Sequence, residues 1–230
     1  MKTTANNTKQ PLTTTAYEQI HRKIITLEYK PGQILEEKQL MEDLGLGRTP
    51  IREALLRLAG ERMIEYPINR GIIVPPISLQ GTKALFAAMS ILEFGVASLA
   101  VYNNVDSLLP YMFSANERIK ASIEGDDMLG LVDANHDFHT CFARCSQNDY
   151  LFRAVCDVRN HAKKLSYLSY ATEIERNRSR HIHYESVIQE HEEMITYMKE
   201  KNETELKKIV SQHITTFQQR IIRYLIGDHI

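Results

Sequence analysis

Residues 37–62 read EKQLMEDLGLGRTPIREALLRLAGER. The pattern predicts two short helices joined by a tight turn. Leu40, Met41 and Leu44 give the first helix its apolar side. Gly45-Leu46-Gly47 supplies the turn, because glycine takes positive φ without steric cost. Thr49 is a candidate cap for free backbone N–H groups, and Pro50 suits the start of the second helix, where no N–H partner is needed. Ile51, Leu55 and Leu58 give that helix one buried face, while Arg48, Thr49 and Arg52 gather at its exposed N-terminal end. This is the layout of a helix-turn-helix, whose second helix enters the DNA major groove by its N-terminus.

The flanks extend the pattern. Residues 63–66 and 71–74 are short β-prone runs with turn material, 67–71, between them, which predicts a two-stranded wing with Arg70 at its tip. Upstream, Tyr17, Ile20, Ile24 and Leu27 repeat at 3-4-3 spacing, one face of an amphipathic helix over 14–29 that Lys30-Pro31-Gly32 brings to an end. Val74-Pro75-Pro76-Ile77-Ser78 is a stiff connector, since each proline fixes φ and cannot extend a helix. The expected organisation is a flexible leader over 1–13, a winged helix-turn-helix over 14–77 and an all-helical domain over 78–230.

Composition bounds the class. The chain has 230 residues, 43% hydrophobic and 25% charged, which suits two modest globular domains. No apolar run approaches the roughly 20 residues that span a bilayer, and the polar start MKTTANNTKQPLTTT lacks the apolar core of a secretory signal. The expected location is the cytoplasm, with no membrane partner. Cys141, Cys145 and Cys156 are odd in number and lack CxxC spacing, so reduced thiols are expected; the one-turn spacing of the first two leaves a redox role open. Net charge is −1. Residues 1–77 hold 11 Lys/Arg against 9 Asp/Glu, and 78–230 hold 17 against 20, a mildly basic head on a more acidic body.

After Ser78 the periodicity is helical throughout. Helices are expected over 82–102, 107–125, 127–146, 149–167, 181–199 and 204–226, enough to enclose a bundle core. Polar residues interrupt three of their apolar stripes. Asn135 and His139 lie at i and i+4 on a stripe with Leu131, Val132, Phe138 and Phe142, so they point the same way. His191 sits among Val187, Ile188, Met194, Ile195 and Met198, and His213 among Leu206, Ile209, Val210 and Phe217. His191 and His213 are each 11 residues from Asn202, the expected turn. In an antiparallel hairpin they stand level, about 16 Å from that turn at about 1.5 Å per residue. A single inward histidine is most simply a hydrogen-bonded core residue. Two level ones with a third helix's i, i+4 pair make a candidate metal site, since neutral imidazole suits zinc, nickel or manganese-class ions.

The run PGQILEEKQLMEDLGLGRTPIREALLRLAGERMIEYPINRGIIV, and GRTPIREAL most specifically, resembles the winged-helix domain of GntR-family bacterial transcription regulators. The resemblance implies that Lys38, Arg48, Thr49 and Arg52, with Asn69, Arg70 and Gly71 in the wing, face DNA. The family often has a serine or threonine before Arg48; here Gly47 removes that hydroxyl. Residues 80–230 resemble the FCD (FadR C-terminal domain) branch, many members of which bind a divalent metal through one Asp and three His. The matching positions are Asn135-His136-Asp137-Phe138-His139, then Asn148, His191 and His213. Asn135 replaces the usual Asp, and an amide oxygen coordinates without adding negative charge. Asp133 and Asp137 are no substitutes, because two residues rotate a side chain roughly 160° or more away from the stripe. An anionic effector bound to the metal would supply the missing charge. Many relatives also carry an arginine four residues before the glutamate that is Glu93 here; that position is Met89, leaving Arg153 and Arg159 as candidate effector contacts. His136, His161, His181, His183 and His229 are expected at the surface or behind the ligands.

The expected function is a ligand-responsive, sequence-specific transcription regulator, a repressor and a homodimer, that binds a double-stranded operator. The competing reading is an enzyme using the three histidines to hold a Lewis-acidic metal. Against it, no nucleophile or general base recurs beside the ligands. A purely structural helical protein would leave both the wing and the inward histidines without a role.

Overall fold

The computed structural model describes residues 11–68, 71–171 and 178–227, without the side chains of 171–183. Asn69, Arg70, His229 and residues 1–10 of the leader lie outside the described residues, as do the side chains of His181 and His183. The fold is mostly α, and the chain divides into two compact units, Met1–Pro76 and Ile77–Ile230.

The first unit contains α1 (Leu12–Ile25), β1 (Ile34–Leu35), α2 (Glu37–Leu44), α3 (Arg48–Gly60) and β2 (Ile72–Ile73). Helix α1 starts at Leu12, inside the segment expected as leader, and ends four residues before the expected stop. Leu27 takes a left-handed φ of 60° and the Tyr29 N–H reaches back to the Lys23 carbonyl at 2.9 Å, so Leu27 leaves the helical face. Gly45 closes α2 at φ 63°, a position favouring glycine. Helix α3 packs on α1 and buries Ile51, Ala54, Leu55 and Leu58 completely. Its N-cap is Gly47, not Thr49, which lies within the first turn, and no side chain caps the helix.

The sheet differs from the expected wing. β2 pairs antiparallel with β1, Ile34 opposite Ile73 and Leu35 opposite Ile72. The run 63–66 contributes only a bridge, through Glu65 and Ile73, whose reciprocal N–H···O contacts are 2.9 Å. Met63 and Ile64 are both buried and so do not alternate, and the Met63 N–H is used to close the end of α3 on the Leu58 carbonyl. β1 escapes sequence reading because two residues give no period to detect.

The second unit contains α4 (Leu79–Ala100), α5 (Leu109–Glu124), α6 (Met128–Arg144), α7 (Asp149–Ala171), α8 (Arg178–Lys199) and α9 (Glu203–Ile226). Their neighbours run α4–α7–α6–α5–α8–α9 and back to α4, a closed ring of six helices around one core. Several starts carry side-chain caps that satisfy N–H groups otherwise left open. The acceptors are Ser78 for α4, Asp127 for α6 and Asn202 for α9. Asn148 accepts from the N–H groups of Tyr150 and Leu151 at the start of α7. Among the described residues α4 is long and apolar enough to cross a bilayer, contrary to the expectation that no run is. One face of it nevertheless holds buried Glu93 and packs on α7 and α9.

Candidate metal centre and candidate nucleic-acid interface

His139 on α6, His191 on α8 and His213 on α9 meet inside the ring. Each offers a ring nitrogen, and these atoms lie within 4.8 Å of one another. His139 and His191 are fully buried and His213 is 6% exposed. The ring centroids of His191 and His213 are 5.0 Å apart. The Phe138 ring stacks on His191 at 3.7 Å and fixes its plane.

The neighbours decide where the lone pairs point. His191 Nδ1 lies 2.8 Å from Asn116 Oδ1, and the Asn116 amide nitrogen donates to the Ile188 carbonyl. His213 Nδ1 lies 2.7 Å from Glu190 Oε2. Both acceptors take a proton from Nδ1, which turns Nε2 of each ring toward the cluster. His191 Nε2 is buried with no hydrogen-bond partner, and so is Asn135 Oδ1. His139 Nε2 is 3.1 Å from His213 Nε2, while its Nδ1 is 3.7 Å from Glu93 Oε2. Burial first, then the Arg159 charge, holds the His139 pKa well below 6.5; burial, then His213, does the same for His191. Those two rings are therefore neutral, the state that ligates. Buried donors without partners, neutral imidazoles and locked tautomers fit a divalent transition ion, with Asn135, His139, His191 and His213 as the residues to hold it.

Asn116 and Glu190 were missed in the sequence. Asn116 left a signal, since it interrupts the buried face of Met112 and Ile119 as the histidines interrupt theirs. Glu190 left little, being one of several acids on α8. Arg159 is 4% exposed and forms a buried ion pair with Glu93. Arg153 lies on the exposed side of α7. Asp133 and Asp137 are turned outward, to Lys163 at 2.8 Å and Arg118 at 2.9 Å. A cleft beside the cluster, lined by Asn135, Ser166, Tyr170, Glu190, His213 and Phe217 among others, has room for only about 10 Å³, roughly one water.

In the first unit the exposed residues collect at the start of α3. Arg48 is 66% exposed and Arg52 53%, and both lean on Glu37 of α2, at 3.7 and 3.0 Å. Lys38 is 86% exposed, 3.8 Å from Glu42, and Thr49 is exposed. Gly71 takes φ 74° just before β2. With Gly47 as N-cap, the first-turn N–H groups of α3 have no side-chain acceptor, the arrangement that receives anions such as phosphate.

Comparison with known proteins agrees with both halves. Residues 12–74 match the model described as bacterial regulatory proteins, gntR family, and residues 84–216 match the FCD domain. The chain belongs to the GntR family, FCD branch. This GntR-type chain is 22% identical over 205 residues to the Nta operon transcriptional regulator of Aminobacter aminovorans, covering 88% of this chain and 91% of that one. It is 23% identical over 203 residues to the gluconate operon transcriptional repressor of Bacillus licheniformis, covering 88% and 82%. Among solved structures, McbR/YncC of E. coli superposes with a TM-score of 0.74 at 21% identity, over 96% of this chain and 100% of that one, which speaks to the fold.

Proposed function

We propose that this GntR-type chain is a ligand-responsive repressor of transcription rather than an enzyme. Its first unit reads one half of a two-fold operator, and its helical unit senses a small molecule at a divalent metal of the zinc, nickel or manganese class. The observation that carries the DNA half is the exposed, uncapped start of α3 with Arg48 and Arg52 around it. The unpartnered His191 Nε2 and Asn135 Oδ1 support the metal. The reading is a regulator of cytoplasmic DNA that works as a homodimer, because one winged helix covers one half-site.

The Glu190 carboxylate sits behind His213 and adds negative charge to the ligand set through that ring, which offsets part of what Asn135 lacks. An anionic effector would then be needed less for charge than as a further ligand beside Asn135 and the three histidines. The cleft as it stands takes about one water, so an effector there displaces side chains such as Tyr170 or Phe217, and that displacement is the signal.

Two measurements test this. The purified protein should shift a promoter fragment from its own locus in preference to unrelated DNA, and no shift on any duplex would sink the reading. His191→Ala should lose its bound metal by elemental analysis while its basal DNA shift persists. Full metal content in that variant would remove the cluster from the mechanism.

A further inference from the structure

A cavity of about 410 Å³ lies on the outer side of the helical unit, between α5 and α6. That volume falls within the about 300–1,000 Å³ of small-molecule sites. Its floor is apolar. There the Cys141 thiol donates to the Leu108 carbonyl at 3.4 Å and ties α6 to the start of α5. Two guanidinium groups stand in the wall. Arg118 of α5 is 51% exposed and pairs with Asp137 of α6 at 2.9 Å. A guanidinium has five N–H donors, so that contact does not exhaust it. Arg144 of α6 lies flat on the Phe152 ring, 4.2 Å from its centroid, which uses its face and leaves its N–H edge. Tyr111, 68% exposed, stands at the rim. The charges in the lining are two arginines against one aspartate, a net +1.

We propose that this cavity binds a small organic acid with one carboxylate and a flat apolar body, at a site separate from the histidine cluster. The carboxylate takes the N–H edge of Arg144 and the remaining donors of Arg118, because a guanidinium fork matches two carboxylate oxygens. The apolar body lies on Leu108 and Cys141, with the Tyr111 ring beside it. One negative charge matches the net +1, whereas a second would face Asp137 and a cation would meet two arginines. The two sites share walls but face opposite ways. Helix α6 turns Asn135 and His139 into the core and Asp137 and Arg144 outward. Helix α5 turns Asn116 inward, to His191 Nδ1 at 2.8 Å, and Arg118 outward. The site stands on the cavity and its arginines, and it needs no metal in the core.

Isothermal titration calorimetry of the full-length protein with 2-naphthoate tests the site. Naphthoate should bind with a dissociation constant below about 1 mM. Its cationic counterpart 2-naphthylmethylamine should give no binding heat. Arg144→Ala should raise the naphthoate constant at least about 10-fold, the loss of one charge-assisted hydrogen bond. Asp137→Asn should lower it, because Arg118 is released and a like charge is removed. Both positions are exposed, so both variants should keep the wild-type circular dichroism spectrum and melting temperature. Acetate, which has the charge without the ring, should bind at least about 10-fold more weakly. Binding that survives chelator treatment and still depends on Arg144 supports the separate site. No naphthoate binding, or equal affinity for acetate, overturns the proposal, and so does weaker binding by Asp137→Asn. Binding that ignores Arg144→Ala and disappears on chelation also overturns it, and places the acid at the histidine cluster, leaving the metal reading intact.

Discussion

At the scale of single residues, the deciding positions are those whose polarity disagrees with their surroundings. His139, His191 and His213 were visible in the sequence because each breaks an apolar stripe. Their hydrogen-bonding partners were not, because Asn116 and Glu190 come from helices whose mutual rotation no periodicity specifies. Arg52 offers the sharpest test of DNA reading. Arg52→Ala should weaken operator binding by about 1–3 kcal/mol with relaxed preference at one base pair, measured by fluorescence anisotropy on single-base operator variants. An equal loss on every sequence would make it a phosphate contact. The cysteines give a test of the core. Burial pushes the Cys145 thiol up to about 12, and raises Cys141 and Cys156 also, so at pH 8 the reactive thiolate is suppressed. Iodoacetamide at that pH should leave Cys145 unmodified by mass spectrometry in the folded protein and label all three cysteines once it is denatured. The reactivity of Cys145 in the folded protein should rise only as pH climbs toward that raised value. Rapid labelling at pH 8 would show that its surroundings open.

At the scale of elements, the helices were legible and the sheet only in part: β2 and its bridge to Glu65 fall in the expected runs, and β1 does not. Six stripes with 3.6-residue periodicity located α4 to α9, since each must bury a face against its neighbours. β1 is two residues long and exists because the Lys30-Pro31-Gly32 turn brings Gln33 beside Val74, whose N–H it accepts at 2.9 Å. That is a tertiary fact with no local trace. Turn chemistry, by contrast, was readable. Gly45 takes the left-handed conformation that glycine was expected to supply, and a Cβ there meets nothing within 4 Å. Gly45→Ala should therefore cost only backbone strain, about 1–2 kcal/mol, seen as a lower urea midpoint for the first unit. No change in that midpoint would mean the turn relaxes to another shape. The cap at α3 was read two residues too far along, because Thr49 and Pro50 look like a helix start whether the first helical residue is Arg48 or Pro50.

At the scale of the molecule, two units with separate cores imply two responses. A metal held by His139, His191 and His213 acts on the second unit only, since all three residues lie within Ile77–Ile230. Calorimetry of chelator-treated protein, with nickel or zinc then added at about 100 times the dissociation constant, should show about 2.7 kcal/mol of stabilisation in one transition and none in the other. A shift of both by the same amount would mean that the units unfold together. The closed ring also has a consequence for how the protein is made. The chain is synthesised from its N-terminus, and domains fold as they emerge. The first unit is complete by Pro76, but α9 both closes the ring and brings His213, so the histidine cluster cannot exist until the last helix has left the ribosome. A chain cut short before Glu203 keeps a whole first unit without that cluster. If the cluster senses an effector, as proposed, such a fragment would compete for the operator as a deaf copy of its own parent.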